Sequence, residues 1–431
     1  MTTALRRITA LAEDRAIHRA FSWLHLHQPT LRRWQLEFLA IPAPPFHETA
    51  RAHWFLEKFR TLNLHNPHLD TIGNTLAELP AAPRHDQVPQ GFSLGSHNTV
   101  EGAGASAPGP NATPCLLLSA HLDTVFPPET DCTPTEDGPR ILCPGASDNG
   151  AGLTALLAIA AALQHAKITP AAPILFAANV GEEGEGDLRG MRHLFSSDSP
   201  WFQRIRSSIA LEGSGTGTVV DRALGSRRLR LTVHGPGGHS WADAGRPNPI
   251  LALAQSLTQI AQLHLPTKPR TTLNVGTIRG GTSINSIPST ASADLDLRST
   301  SSLHLDRLEL SILQTFAASI ETFASTPATA EIRFSVERIG DRPSGALAPS
   351  SPLFTSLKVV DRHLQIPTEP HIGSTDANLP LSLNIPALAI GCGGVGTGIH
   401  TLSETYDPTG RELALRRILL LVLDTAHLIA T

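Results

Sequence analysis

The stretch CLLLSAHLDTVFP, residues 115–127, decides the fold class. Its first six residues are apolar or small, which is typical of a strand buried on both faces of a parallel sheet. The strand leads into His121 and Asp123, and residues two apart on a strand project to the same side. Open parallel sheets place their ligands at this carboxyl end. We therefore predict His121 as a metal ligand and Asp123 as the carboxylate that orients its ring, although the pair alone also fits a surface hydrogen bond.

Other apolar stretches end in acidic or histidine residues in the same way. PILFAANV precedes Glu182 and Glu183, SSIAL precedes Glu212, and PALAIGCG precedes a loop that carries His400. Asp148 stands just before a long helical run, where the helix dipole favours an ionised carboxylate. Taken singly, each residue also fits a helix cap or a solvated loop charge. Together they form a nitrogen and oxygen donor set at one sheet edge, which predicts a divalent metal site.

The composition is that of an ordinary globular protein. The chain has 431 residues, of which 41% are hydrophobic and 17% charged, and its net charge is −4. A chain of this length exceeds one hydrophobic core, so two domains are expected. The net charge shows no excess of basic residues of the kind that nucleic-acid binding requires. Neither a signal peptide nor a membrane-spanning stretch is expected. The four cysteines have no CxxC spacing, which favours buried free thiols and a cytoplasmic location.

The middle of the chain follows a different pattern. Four stretches alternate apolar and polar residues as half-exposed antiparallel strands do, and two helical stretches separate them. The order strand, helix, strand, strand, helix, strand is that of a ferredoxin-like layer. We predict an α/β catalytic domain with a mostly parallel central sheet, residues 1–222 and 340–431, and an inserted α+β domain, residues 223–339. Residues 81–113, rich in Pro, Gly and Ser, are predicted as a flexible loop.

The motifs of two other enzyme classes do not fit. GCGGVG, residues 391–396, has the glycine spacing of a dinucleotide-binding fingerprint after a strand. That fingerprint requires a helix to begin within the glycines, whereas TGIHTLSETYDP follows here. A serine hydrolase would need the GxSxG nucleophile elbow, and the sequence has none.

The motifs resemble those of the co-catalytic zinc exopeptidase family that includes peptidase T, carnosinase, bacterial glutamate carboxypeptidase, succinyl-diaminopimelate desuccinylase and aminoacylase. The family's order is kept by SAHLDTVFP, GASDNGAG, GEEGEGDLRG, GPGGHSW, GGTSINSIP, GSTDANLPL and GIHTLSETYD. The resemblance covers nearly the whole chain outside the loop at 80–114. It implies a dizinc metallopeptidase fold in which the inserted domain serves as a lid and dimerisation domain.

The resemblance also implies a set of metal ligands. His121 and Glu212 bind one ion, Glu183 and His400 bind the other, and Asp148 bridges the two. Zinc is the expected ion, and a nitrogen and oxygen donor set also admits Co²⁺ or Mn²⁺.

The remaining motif residues take catalytic and substrate-binding roles by the same resemblance. Glu182 is the general base for a water that bridges the two metal ions, and Asp123 orients His121. His239 stabilises the oxyanion in the neighbouring subunit, which implies a homodimer formed through the lid. The residues that hold the substrate are Asn285, Arg298, Gly373, Ser374 and Thr375. From the residues alone, Asn285 and Arg298 also fit a local turn or a surface ion pair.

The substrate class rests on one position and two motifs. Glu212 corresponds to Asp in typical aminopeptidase members and to Glu in several carboxypeptidase and deacylase members. GEEGEGDLRG and GSTDANLPL are most similar to peptidase T, so we predict an aminopeptidase that hydrolyses di- or tripeptides. The alternative is an N-acyl amino acid amidohydrolase or a carboxypeptidase with the same metal centre. A third alternative is a metal-binding relative without catalytic activity. The presence of Glu182 and of all five ligand residues argues against this alternative.

Overall fold

The structure is a computed structural model and describes residues 3–82, 113–325 and 331–431. The predicted flexible loop, residues 81–113, lies almost entirely outside these residues. The α-helices are α1 (Thr3–Ala12), α2 (Arg15–Leu26), α3 (Gln28–Leu39), α4 (Thr49–Thr61), α5 (Gly150–Ala166), α6 (Arg189–Leu194), α7 (Pro249–Ile260), α8 (Ser302–Phe323), α9 (Pro352–Leu364), α10 (Asn378–Ser382) and α11 (Arg411–Ala430).

The strands, in chain order, are β1 (His65–Leu69), β2 (Thr75–Leu79), β3 (Cys115–His121), β4 (Thr135–Asp137), β5 (Arg140–Leu142), β6 (Ile174–Asn179), β7 (Ile205–Leu211), β8 (Thr218–Ala223), β9 (Gly225–His234), β10 (Gly238–His239), β11 (Thr271–Gly280), β12 (Ser286–Ile287), β13 (Thr290–Ser299), β14 (Arg333–Arg342), β15 (Gly345–Ala346), β16 (Glu369–Gly373), β17 (Ala387–Ile390), β18 (Val395–Thr397) and β19 (Thr405–Asp407). The chain forms two compact units. The first comprises residues 1–221, 347–371 and 375–431, and the second comprises residues 222–346 and 372–374.

The first unit is built on a mixed sheet whose centre is parallel. Strands β6, β3, β7 and β17 lie side by side and run parallel. Antiparallel partners flank them, with β2 beside β6 and β8 beside β17. All seven residues of β3 are buried, because α5 and α11 pack against this strand and Leu117 lies in an apolar cluster with Met191 and Leu194. The prediction of an α/β class with a mostly parallel central sheet is confirmed.

The local elements of the first unit include the helix predicted after Asp148, which is confirmed as α5. Helices α2 and α3 follow each other closely, and the first ends at a C-cap on His27. Strand β2 begins at Thr75, after a turn whose backbone N–H groups donate to the carboxylate of Asp70. Strand β18 begins at Val395, within GCGGVG, so the helix of a dinucleotide fingerprint does not form there.

The second unit is an antiparallel sheet covered by two helices. Its strand order is β11, β13, β9 and β14, and helices α7 and α8 pack against it. The helices bury the alternate apolar residues of the strands, such as Leu229, Leu231 and Leu295, in one core with Phe316. Buried and partly exposed residues alternate along β9 and β13, as the sequence pattern indicates. The predicted ferredoxin-like layer is confirmed.

The four cysteines, Cys115, Cys132, Cys143 and Cys392, are buried free thiols, as expected from their spacing. Within the described ranges, every helix is too short or too polar to cross a bilayer. The cytoplasmic location stays a prediction.

Candidate metal centre

Four neighbouring strands deliver the predicted ligands to one edge of the central sheet. His121 is the last residue of β3, and Glu212 follows the last residue of β7. Glu183 comes shortly after β6, and His400 lies in the loop between β18 and β19, the short strands that follow β17. These four strands are parallel, so their carboxyl ends meet at the same edge. Asp148 reaches this edge from the loop that precedes α5.

Asp148 lies between two pairs of side chains. Its Oδ1 is 3.1 Å from Nε2 of His121, and its Oδ2 is 3.0 Å from Nε2 of His400. His121 Nε2 is also 3.4 Å from a carboxylate oxygen of Glu212. His400 Nε2 is 2.9 Å from a carboxylate oxygen of Glu183. The two oxygens of one carboxylate therefore face two separate histidine and glutamate pairs.

The electrostatics of this cluster suit a cation. Burial raises the pKa of Glu212 to about 7, His121 opposes this shift, and Asp148 adds to it. Hydrogen bonds to Asp148 and Glu183 raise the pKa of His400 to about 10. Burial lowers the pKa of His121, but the charge of Glu212 and the hydrogen bonds to its carboxylate neighbours raise it well above the usual value. In the absence of a metal ion, protons on two imidazoles offset three crowded carboxylates.

A divalent ion fits the same donors. One ligand atom each from His121, Asp148 and Glu183 lies within 4.8 Å of the others. Metal binding requires neutral imidazoles, so an ion would take the place of the imidazole protons as the positive charge. Nitrogen and oxygen donors without a thiolate are those of zinc, cobalt or manganese sites.

Asp123 contacts both the His121 ring and the loop that carries Glu182 and Glu183. The atom that lies 3.0 Å from His121 Nδ1 is the backbone carbonyl oxygen of Asp123, whereas its nearest carboxylate oxygen is 3.6 Å away. The carboxylate accepts the backbone N–H groups of Glu182 at 2.9 Å and Glu183 at 2.7 Å. Burial raises the pKa of Asp123, but hydrogen bonds from His121 and this backbone lower it more. Asp123 thus lies against the His121 ring and holds the glutamate loop, and its role in orienting the ring stays a prediction.

Asn149 is a buried residue that the sequence patterns did not indicate. Its side-chain oxygen accepts N–H groups from Gly152 and Gly213, both at 3.1 Å, and its amide nitrogen donates to the carbonyl of Leu211 at 2.9 Å. A Cβ on Gly152 would lie 2.1 Å from this oxygen, so the close approach requires glycine. Asn149, not Asp148, is the N-cap of α5, and the capping preference of Asn beside a glycine was the available signal.

Glu404 is a second buried residue beside the candidate metal centre that the sequence motifs do not indicate. It is 1% exposed, and its carboxylate accepts three backbone N–H groups from the loop that carries Asp148. Burial raises its pKa, and these hydrogen bonds oppose the shift. Ser403 and Thr405, its polar neighbours in sequence, gave no indication that the carboxylate is buried.

The sequence profile of Peptidase family M20/M25/M40 matches residues 117–423, which is more than half of the chain. The chain belongs to this family. The resemblance drawn from the motifs is therefore confirmed.

Relatives of this M20/M25/M40 chain differ in the length they share with it. A probable carboxypeptidase of Paracoccidioides lutzii is 31% identical over 209 residues, which are 43% of this chain and 45% of that protein. The chain therefore matches less than half the length of this curated relative. The crystal structure of aminopeptidase PepT from Bacillus cereus has a TM-score of 0.66 at 18% identity and covers 92% of this chain and 98% of its own.

A further structural neighbour is the Bacillus subtilis YXEP protein, a dinuclear metal binding peptidase of the M20 family. It has a TM-score of 0.63 at 14% identity and covers 96% of this chain and 99% of its own. At such identities, the likeness to both solved structures establishes the fold.

The other predicted site residues of this M20/M25/M40 chain lie mainly in the second unit. His239 ends β10 and Asn285 directly precedes β12, and these two segments are adjacent, since β10 pairs with β12 and the N–H of Ser240 donates to the carbonyl of Asn285 at 3.0 Å. Arg298 is on β13 and forms a 2.6 Å ion pair with Asp296. A surface ion pair is the alternative to substrate binding that the sequence analysis gives for this residue.

The last predicted substrate-binding segment is divided between the units. Gly373 and Ser374 are in the second unit, where Ser374 accepts a hydrogen bond from Arg342 at 3.3 Å. Thr375 is in the first unit, and its N–H donates to Asn378 at 2.8 Å. The roles that the resemblance gives to these three residues, to His239, to Asn285 and to Arg298 stay predictions.

Proposed function

We propose that the protein is a metal-dependent exopeptidase that removes the N-terminal residue from di- or tripeptides. The observation that carries this proposal is the position of Asp148, whose two carboxylate oxygens face separate histidine and glutamate pairs. Such a position would suit a carboxylate that two metal ions share. Membership of a peptidase family supports amide hydrolysis as the reaction.

The distances support the two ligand sets that the motif resemblance implies. His121 and Glu212 would hold one ion, His400 and Glu183 would hold the other, and Asp148 would be shared. When bound, such ions lower the pKa of water and polarise the carbonyl under attack.

The proton transfers are assigned to Glu182. It is 5% exposed, and its backbone N–H donates to the carboxylate of Asp123 at 2.9 Å, next in sequence to the proposed ligand Glu183. A carboxylate next to the ligands can take a proton from the attacking water and pass it to the leaving amine. Asp123 would keep both glutamates in place, because it accepts their two backbone N–H groups.

The alternative is an N-acyl amino acid amidohydrolase or a carboxypeptidase with the same centre. Glu212 favours this alternative, and the curated relatives that match part of the chain are probable carboxypeptidases. The motif resemblance to peptidase T and the whole-length likeness to PepT favour the aminopeptidase.

Hydrolysis of a free and an N-acetylated tripeptide of three different residues, leucyl-glycyl-alanine, by the zinc-loaded protein separates these two functions. We expect release of the N-terminal leucine from the free peptide and no hydrolysis of the acetylated one, because an aminopeptidase recognises the free amine. Amino acid analysis of the products gives the end that is cleaved, since leucine and alanine mark the two ends. Hydrolysis of the acetylated peptide would support the acylase or carboxypeptidase function instead.

A homodimer through the second unit is also proposed. Strand β11 is at the edge of its sheet, and its residues from Asn274 onward are exposed, including Val275 at 41% and Ile278 at 59%. An exposed edge strand with apolar side chains favours pairing with another chain. We expect sedimentation to give a dimer and the Ile278→Glu substitution to shift it toward monomer. The control Leu26→Glu, at an exposed site in the first unit, should stay dimeric. A monomeric wild type would contradict the proposal.

A further inference from the structure

The loop that carries Asp148 is held by the loop that carries His400, and Glu404 makes the connection. The carboxylate of Glu404 accepts the N–H of Ser147 at 2.8 Å and of Asp148 at 2.9 Å on one oxygen. Its second oxygen accepts the N–H of Gly145 at 2.9 Å. Its backbone carbonyl accepts the N–H of Cys143 at 3.1 Å. Four hydrogen bonds therefore join this one residue to the segment that ends in the bridging carboxylate.

We propose that Glu404 is a positioning residue that couples the two halves of the metal centre. This inference rests on the proposed metal-dependent function. Glu404 is itself no ligand in this account, because both its carboxylate oxygens already accept backbone N–H groups and it is 1% exposed. Its contribution is to fix the direction in which Asp148 points.

The coupling follows from the short distance in sequence between Glu404 and His400. The connecting turns are closed by the N–H of Thr401 to the carbonyl of Gly398 at 2.9 Å and by the N–H of Glu404 to the carbonyl of Thr401 at 3.1 Å. A displacement of the Asp148 loop would therefore also displace His400. This geometry keeps Asp148 Oδ2 at 3.0 Å from His400 Nε2.

The other half of the centre has its own anchor. Asn149 joins the Asp148 loop to the Glu212 segment through Leu211 and Gly213. Loss of the Glu404 carboxylate leaves these contacts in place. The ion held by His400 and Glu183 should therefore be weakened more than the ion held by His121 and Glu212.

The Glu404→Gln substitution tests this inference because it keeps the size of the side chain. The amide replaces one acceptor oxygen by an NH₂ group. This group is a hydrogen-bond donor and would face a backbone N–H, which is also a donor, so at least one hydrogen bond is lost. We expect the affinity of one of the two zinc ions to fall by about 10- to 100-fold, the usual effect of losing a partner that orients a ligand. Isothermal titration of the metal-free full chain with Zn²⁺ measures this, and circular dichroism shows whether the variant is folded.

The matched control is Asp424→Asn, which also removes one buried charge from the first unit. Asp424 accepts hydrogen bonds from Arg7 and Ser356, neither of which lies in a ligand loop. We expect this variant to melt at a lower temperature and to bind zinc as the wild type does. A folded Glu404→Gln protein that binds two zinc ions with wild-type affinity would overturn the inference.

Two further outcomes are decisive. If Glu404→Gln does not fold, Glu404→Asp replaces it, since the shorter carboxylate cannot reach all three N–H groups and should weaken the same ion. Wild-type zinc affinity in a folded Glu404→Asp protein would then refute the positioning role. A wild type that fails to bind two zinc ions would refute the proposed metal centre itself, and the inference with it.

Discussion

The Glu182→Ala variant is expected to hydrolyse a free tripeptide about 10²- to 10⁴-fold more slowly than the wild type and to keep its metal ions. The reason is that Glu182 is assigned to proton transfer, whereas Glu183 is the neighbour whose carboxylate lies 2.9 Å from His400. Turnover rates of the zinc-loaded proteins at saturating peptide measure the effect.

The control for this variant is Glu185→Ala in the same loop. Glu185 is exposed and three residues from Glu182, so its loss should leave turnover close to the wild-type rate. An equal loss of activity in the two variants would mean that the loop as a whole, and not the Glu182 carboxylate, is required.

The His121→Ala variant is expected to lose metal and, with it, hydrolysis by about 10³-fold or more, because several kcal/mol of charge stabilisation in the transition state depend on the ions. The substitution removes the imidazole that faces both Asp148 and Glu212. Rates measured with increasing added zinc should not return to the wild-type level. The control is His53→Ala on the exposed face of α4, which should retain full activity. Full rescue by zinc would contradict the role of His121 as a ligand.

Much of the fold could be predicted because its strands are short apolar runs with clear ends. The buried strand at residues 115–121 and the alternating strands of the second unit follow from side-chain periodicity alone. The ligand candidates followed from the same strands, because parallel strands bring their carboxyl ends to one edge. Strand β1 was not predicted, since HNPHL has neither an apolar run nor a regular alternation.

The supporting residues of the centre could not be predicted in the same way. Glu404 acts through backbone N–H groups that lie more than 250 residues earlier in the chain, and no side-chain pattern records such a contact. The spacing of two residues on a strand predicts that Asp123 faces His121, and its carboxylate lies 3.6 Å from the ring. The spacing does not predict that the same carboxylate accepts two backbone N–H groups of the next loop.

The most direct test of the dinuclear centre is the number of zinc ions bound per chain by three proteins prepared side by side: wild type, Glu182→Ala and His121→Ala. We expect two ions in the wild type, two in Glu182→Ala and fewer than two in His121→Ala. Equal metal loss in the two variants would contradict the division between base and ligand, and a wild type without zinc would contradict the metal centre.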